Sequence, residues 1–201
     1  MMKHITVFLF VTLLAVACKN HQQPATGNIP KTDTVTTQYF PVADFLQSEI
    51  RNIDTSALAI LRCETIRQHI DTSFLTPNEF NRAAAAFLTK ELTPDSLEKN
   101  FEENSFADKT TGYLTFNYSA RDKSQPLQRI DILVTQGGNE VGKVKSIYME
   151  RADHDADTLV IKKMYWVAGH SFQVISSHQP KGSHTAESRQ VKVVWNNEET
   201  D

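Results

Sequence analysis

The chain is poor in cysteine. Cys18 and Cys63 are the only two among its 201 residues. A disulfide framework or a zinc site built from cysteine pairs is therefore excluded. Cys63 follows an apolar stretch, which favours a buried, unreactive thiol over one that pairs between chains. Without a disulfide framework, the fold has to depend on its hydrophobic core.

The chain also lacks an excess of basic residues. It contains 21 Lys and Arg against 24 Asp and Glu, a formal net charge of −3, and the basic residues form no block. The adjacent pair Lys162-Lys163 is typical of a solvated strand edge or loop flank. Nucleic-acid binding needs a basic patch or stripe. We therefore expect no nucleic-acid partner.

Motifs for catalysis are missing as well. The chain has no Gly-x-Ser-x-Gly elbow and no Ser-x-x-Lys with the companion motifs of penicillin-binding enzymes. Gly137-Gly138 lies between predicted strands and precedes no helix, so it does not predict a phosphate-binding loop. No catalytic residue and no cofactor is predicted, although residues distant in sequence can still form a catalytic group.

Two groups of residues contain side chains that can bind metal ions. Residues 153–157 alternate Asp like the start of an EF-hand loop, but Thr158 replaces the required Gly and Met164 replaces the final Glu. An exposed hairpin turn explains these residues equally well. The second group is the later histidines, His170, His178 and His184. Their spacing does not match that of two histidines that bind zinc from one helix. No metal site is predicted.

The clearest positive signal lies at the amino terminus. Lys3 precedes an apolar run over residues 5–16, which is broken only by Thr6 and Thr12 and ends in small residues before Cys18. A run of about 12 residues is too short to span a bilayer, which takes ~20. A short apolar run followed by small residues is typical of a signal peptide that is removed by cleavage.

The end of this segment, Leu14-Ala15-Val16-Ala17-Cys18, resembles the lipobox of bacterial lipoproteins. The resemblance implies that the Cys18 thiol receives a diacylglycerol and that a peptidase cuts between Ala17 and Cys18. It also implies acylation of the new amino group. Two or more acyl chains, such as palmitate, anchor a protein stably to a membrane. Since residues 1–17 contain one basic and no acidic residue, the mature chain would carry 20 basic and 24 acidic residues.

The residues after Cys18 predict which membrane receives the anchor. In Gram-negative lipoproteins an Asp after the Cys favours the inner membrane, whereas Lys19 follows here. Surface-exported lipoproteins of the Bacteroidota usually carry acidic residues at this point, and here the first carboxylate is Asp33. We therefore expect the periplasmic face of the outer membrane.

Beyond the leader, the composition predicts two segments. Residues 18–38 contain few apolar side chains and predict a flexible tether, with an end-to-end distance of about 25 Å. Residues 39–201 predict a single globular domain. Within it, apolar spacing from Val42 to Ile50 predicts a helix, and 57–66 predicts a strand, with a helix as the alternative. Thr76-Pro77 and Thr93-Pro94 each predict a helix start, the second helix continuing through Phe101.

From residue 111 onward the apolar period changes to two. The alternation predicts about six strands joined by short turns, at 114–119, 130–134, 144–149, 159–167, 172–176 and 191–195. Short turns favour an antiparallel meander, because parallel strands need long crossovers. The predicted fold class is α+β, with N-terminal helices packed on one face of a twisted antiparallel meander sheet of about six strands.

Aromatic residues on the predicted strands suggest an interaction surface. Tyr165 and Trp166 are adjacent and must point to opposite faces of the sheet, so one of them should be exposed. Together with Trp195 they form the predicted interaction surface, because Tyr and Trp are favoured at protein interfaces. An uncovered apolar face could alternatively hold a lipid chain.

The lipobox, tether and body together resemble small uncharacterised envelope lipoproteins of Bacteroidota, although the body supplies no functional residues to carry over. Our first hypothesis is a non-catalytic outer-membrane lipoprotein, anchored through Cys18, whose sheet face binds another envelope protein. Two alternatives remain open. One is a carrier of a small apolar ligand such as a lipid chain, and the other is an envelope hydrolase.

Overall fold

Two of the three α-helices begin at the caps that the sequence predicts. In the computed structural model, α1 spans Val42–Asp54, α2 spans Pro77–Ala84 and α3 spans Pro94–Asn100. The Thr76 hydroxyl accepts a hydrogen bond from the Glu79 backbone N–H at 3.4 Å, and the Glu79 carboxylate accepts one from the Thr76 N–H at 2.8 Å. This reciprocal capping satisfies two backbone donors that a helix start would leave free.

The structure describes residues 39–56, 58–155, 157–183 and 185–196. The predicted signal peptide, Cys18 and the tether lie outside these ranges. No helix within them is long and apolar enough to cross a membrane.

Within the described ranges, nine β-strands form one sheet. In chain order they are β1 Ile60–Ile66, β2 His69–Leu75, β3 Phe101–Asp108, β4 Tyr113–Ala120, β5 Leu127–Thr135, β6 Val144–Asp155, β7 Thr158–Val167, β8 Ser171–Pro180 and β9 Glu187–Val194. Every neighbouring pair is antiparallel. Their order across the sheet is β2-β1-β9-β8-β7-β6-β5-β4-β3. Strands β3 to β9 therefore form a meander, and the β1–β2 hairpin extends it beyond β9.

The α+β class is confirmed, but the prediction of about six strands and of helices preceding the sheet is wrong. The sheet has nine strands, and the β1–β2 hairpin lies between α1 and α2 in the chain. The prediction missed β2 and β3 altogether, and it placed Phe101 at a helix end. Both are edge strands, and an edge strand buries few side chains, so its apolar period is weak.

The core lies between the helices and one face of the sheet, which we call the inner face. Helix residues Leu46, Ile50 and Phe80 are buried in the same cluster as the inward side chains of β4 to β9. Five aromatic rings lie at its centre, with neighbouring centroids 5.2–6.2 Å apart, from Phe80, Phe87, Trp166, Phe172 and Trp195. Burial of these large side chains supplies much of the stability that a disulfide-poor fold needs.

Glu49 joins α1 to the turn between β7 and β8. Its Oε2 accepts a hydrogen bond from the Gly169 backbone N–H at 2.6 Å and one from Trp166 Nε1 at 3.4 Å. Gly169 has a φ of +69°, which side-chain-bearing residues rarely adopt. One carboxylate therefore fixes the helix, the turn and the central tryptophan relative to each other.

Tyr118 ties the start of the described chain to the core. Its side chain is fully buried, and its hydroxyl accepts a hydrogen bond from the Phe40 backbone N–H at 3.1 Å. Burial raises the pKa of Tyr118 to about 12. The folded protein therefore holds the phenol proton more tightly than the unfolded chain, in which a tyrosine titrates near 10.

This shift predicts a loss of stability at high pH. Between about pH 10 and pH 12 the unfolded chain releases the Tyr118 proton while the folded protein retains it, so the free energy of unfolding should fall. The full loss from this residue is about 2.7 kcal/mol, and about half of it should be lost by pH 11. Below pH 10 the effect should vanish. Urea unfolding at pH 8 and pH 11 checks this, with Tyr118→Phe as the control. If that variant keeps the same pH dependence, Tyr118 is not its source.

Candidate interaction surface

The second face of the sheet, here called the outer face, is left uncovered by the helices. Because strand side chains alternate, each inward core residue has neighbours that point outward. Tyr165 is 45% exposed there, while the adjacent Trp166 is fully buried on the inner face. The opposite orientation predicted for these two residues is therefore observed.

The structure corrects the rest of the predicted surface. Trp195 is 4% exposed and Trp166 is 0% exposed, and their rings pack against each other with centroids 5.3 Å apart. Neither is available to a partner in this structure. Both belong to the inner face because the aromatic cluster needs large rings to fill the space under α2. Of the three predicted residues, Tyr165 alone lies at the surface.

Tyr165 has an aromatic neighbour that the predicted surface did not include. Tyr165 pairs across strands with Tyr148, whose hydroxyl donates a hydrogen bond to Glu150 Oε2 at 3.1 Å. Burial raises the pKa of Tyr148 to about 12, and the nearby Glu150 carboxylate adds to the effect. The Tyr148 hydroxyl thus stays protonated as a donor throughout the physiological range.

An ion pair continues this group on the next strand. Tyr148 lies opposite Asp131, and Arg129 Nη2 is 2.7 Å from Asp131 Oδ2. Asn117 on β4 also donates a hydrogen bond to Asp131. We call Arg129, Asp131, Tyr148, Glu150 and Tyr165 the tyrosine patch. The period-two alternation could have revealed it, because each member of the patch is flanked by an inward residue.

A second group of charges lies on the inner face, where the strands extend beyond the helices. Arg151 Nη1 is 3.3 Å from Glu91 Oε2, and Arg151 Nη2 is 3.0 Å from Asp153 Oδ1. Lys162 Nζ approaches Asp153 Oδ2 at 3.5 Å. Glu64 on β1 is paired in the same way with Arg62 and Arg189. Each carboxylate here already has a cationic partner.

The pKa values of these acids follow from the pairing. Burial opposes ionisation of Asp153, but the hydrogen bond and charge of Arg151, followed by Lys162, outweigh it and lower the Asp153 pKa. The Glu91 pKa is also lowered: burial opposes ionisation, but hydrogen bonds from its own backbone N–H and from Thr89, followed by the charge of Arg151, outweigh it. Since both are lowered, the stability they contribute is present near neutral pH and is lost as the pH falls through their folded-state values.

Arg151→Ala should therefore cost stability. It leaves Glu91, which is 8% exposed, without its cation. Breaking a fully buried pair costs 3–5 kcal/mol, and partial exposure should reduce this to about 2 kcal/mol. The matched control is Arg129→Ala on the outer face, whose side chain is 53% exposed and which should cost under ~1 kcal/mol. Chemical unfolding measures both, and equal costs would contradict a structural role for the inner pair.

The described clefts offer little support for a hydrolase. One cleft of about 460 Å³ contains His154, Asp157 and Ser183, the three residue types of a catalytic triad. However, the Ser183 hydroxyl donates to the Thr185 carbonyl at 2.9 Å, and Asp157 lies 3.8 Å from Lys181. A triad requires the hydroxyl to bond with a histidine that a carboxylate orients. The described hydrogen bonds include no such chain.

A carrier of an apolar ligand would need an enclosed apolar cavity. Three other clefts among the described residues, of about 370–490 Å³, are open to solvent, and charged or polar side chains contribute to their walls. The space between helices and sheet is occupied by the aromatic cluster. None of these described clefts is therefore an enclosed site for a lipid chain.

The described residues hold no group of three or more His, Cys, Asp or Glu side chains placed to bind a metal ion. Asp153 from the EF-hand-like stretch points inward to Arg151 and Lys162, so it is not directed at a loop site. His178 is exposed on β8, whereas His184 lies outside the described residues.

No protein-family model, curated protein or solved structure matches the chain significantly.

Proposed function

We propose that this protein is a lipid-anchored envelope lipoprotein that binds another envelope protein and catalyses no reaction. The anchor is Cys18, and the protein faces the periplasm from the outer membrane. The tyrosine patch on the outer face contacts the partner. The observation that carries the proposal is the exposed Tyr165 beside Tyr148 and Arg129 on a face that the helices leave open.

The chemistry of the patch supports this role. Tyr and Arg are the residue types that, with Trp, most often dominate binding energy at interfaces. Tyr165 offers a large, rigid apolar surface, and Tyr148, opposite it on β6, is held by its hydrogen bond to Glu150. Arg129 is held by Asp131. Pairing within the patch fixes these side chains before a partner arrives, which reduces the entropy lost on binding.

The sequence supports the location. The segment 18–38 would let the domain move about 25 Å from an acylated Cys18. Anchoring confines partner and patch to one membrane surface, so even a modest affinity gives substantial binding there. The exposed outer face then meets proteins of the same compartment.

Photo-crosslinking in cells tests the proposal. A photoreactive phenylalanine analogue replaces Tyr165 in the full chain, and the same analogue replaces Arg82 on the exposed surface of α2 as the control. We expect illumination to join a specific envelope protein to position 165 and not to position 82. Tyr165→Ala should then reduce recovery of that protein about fivefold or more, because losing an energetically dominant interface tyrosine costs more than 1 kcal/mol.

Two results would contradict the proposal. One is the absence of any protein adduct at position 165. The other is the same adduct at both positions, which would indicate nonspecific proximity. Lys163→Ala is the control for changing any side chain on this surface, since Lys163 is exposed on the same face of β7 as Tyr165. That variant should leave recovery of the partner unchanged.

A further inference from the structure

The edge strand β2 exposes two large apolar side chains on the outer face. Phe74 is 74% exposed and Ile70 is 63% exposed, two residues to either side of Thr72. As an edge strand, β2 also leaves backbone N–H and C=O groups without a neighbouring strand. Proteins usually protect such edges with lysine, proline, a bulge or inward-pointing charges, and of these β2 contains a single inward charge, Asp71.

The opposite edge of the same sheet is protected. Strand β3 also exposes an aromatic side chain, Phe106, at 59%. It carries three carboxylates within eight residues, however, on Glu102, Glu103 and Asp108. Bringing another acidic strand beside β3 would be opposed by like-charge repulsion. One edge therefore discourages strand pairing, while the other permits it.

We propose that β2 pairs in antiparallel fashion with β2 of a second copy of this chain, about a two-fold axis through Thr72. Opposite residues of an antiparallel pair point to the same face, so the axis has to pass through a residue position. Thr72 is the midpoint of His69–Leu75. This register alone pairs all seven residues of both strands.

The side chains fit this register on both faces. On the outer face, Phe74 of each copy lies opposite Ile70 of the other, and Thr72 lies opposite its own counterpart. Aromatic residues opposite β-branched ones are among the favourable cross-strand pairs. On the inner face, Asp71 lies opposite Ser73. An axis through Asp71 would instead set two carboxylates against each other and leave Phe74 opposite a turn residue.

The symmetry makes the association closed. The same strand serves both copies, so pairing stops at two and does not continue into a filament. A seven-residue strand pair alone is smaller than a standard stable interface. We therefore expect a weak dimer that forms mainly where the chains are concentrated on a membrane. The dimer depends on β2 alone, which lies four places from β7 in the sheet, so it does not depend on the tyrosine patch.

A disulfide across the axis tests the register. Thr72→Cys in the full chain would place two thiols directly opposite each other, with Cβ atoms ~4.5–5.5 Å apart, near the range that a disulfide spans. Cys63 lies opposite Thr72 within the β1–β2 pair, so the experiment needs a Cys63→Ser background. On mild oxidation of membranes we expect a reducible species of twice the mass. The Cys63→Ser chain alone should give none, which controls for Cys18.

Two further variants make the outcome decisive. Asn104→Cys, exposed on the protected edge β3, should give no crosslink. Adding Phe74→Lys to Thr72→Cys should lower the crosslinked fraction about tenfold, because it removes both Phe–Ile pairs. Since the Phe74 side chain is exposed, the thermal unfolding midpoint of the variant that carries Phe74→Lys should equal that of Thr72→Cys alone. The proposal is overturned if Thr72→Cys gives no crosslink, if Asn104→Cys crosslinks equally, or if Phe74→Lys has no effect. A partner adduct at position 165 neither requires nor excludes this dimer.

Discussion

Trp166→Ala should lower the free energy of unfolding by about 3–5 kcal/mol, the usual cost of deleting a buried tryptophan side chain. Trp166 is fully buried, with ring centroids 5.2 Å from Phe87, 5.4 Å from Phe172 and 5.3 Å from Trp195. The change also removes the indole N–H that donates a hydrogen bond to Glu49 Oε2. The whole free energy of unfolding of a domain is commonly 5–15 kcal/mol, so this loss would be a large share of it. Denaturant unfolding measures it.

Tyr165→Ala is the matched control, since it deletes an adjacent aromatic side chain from the same strand. Tyr165 is 45% exposed and lies outside the core, so we expect a loss under ~1 kcal/mol. The comparison tests the assignment of faces directly. If the two variants lose equal stability, or if Tyr165→Ala loses more, the assignment of Trp166 to the core and of Tyr165 to the exposed face is wrong.

Cys18→Ala should abolish acylation completely. In the lipoproteins that the lipobox resembles, the diacylglycerol is attached through the cysteine sulfur and cleavage before that cysteine follows, and we propose the same for Cys18. The variant should therefore keep its leader and incorporate no labelled palmitate. Metabolic labelling and the mobility of the chain on a gel measure both effects.

Cys63→Ser provides the control for this experiment. It removes the other thiol of the chain and should leave labelling and cleavage unchanged. Cys63 lies on β1 and is partly buried. Label that persists in Cys18→Ala and disappears in Cys63→Ser would show that the wrong cysteine was assigned.

Local signals explain the parts of the fold that the sequence predicts correctly. The caps at Thr76 and Thr93 depend on residues within four positions, and both hydroxyls accept hydrogen bonds from helix N–H groups as expected. The meander from β4 to β9 was likewise predictable. Each of its strands buries one face, so the apolar period is strong.

The strands β2 and β3 show where such reasoning fails. Their residues are mostly exposed, and their place in the sheet depends on pairing with β1 and β4. Nothing in the local sequence indicates that β1 pairs with β9, more than 120 positions away along the chain. Long-range pairing of this kind is set by the whole sheet.

The candidate surface was predictable to the same limited degree. Alternation shows that Tyr165 and Trp166 point to opposite faces, but it does not show which face the helices cover. That choice depends on α2, whose Phe80 packs on Trp195 with ring centroids 5.4 Å apart. Arg129 joins the patch because β5 and β6 are neighbours in register.

The intact mass of the native protein, extracted from membranes, tests the central claim most directly. We expect a chain that begins at Cys18 and carries the added mass of a diacylglycerol, with or without a third acyl group. A native chain that retains residues 1–17 and has no added lipid would contradict the anchor and the envelope function that we propose from it.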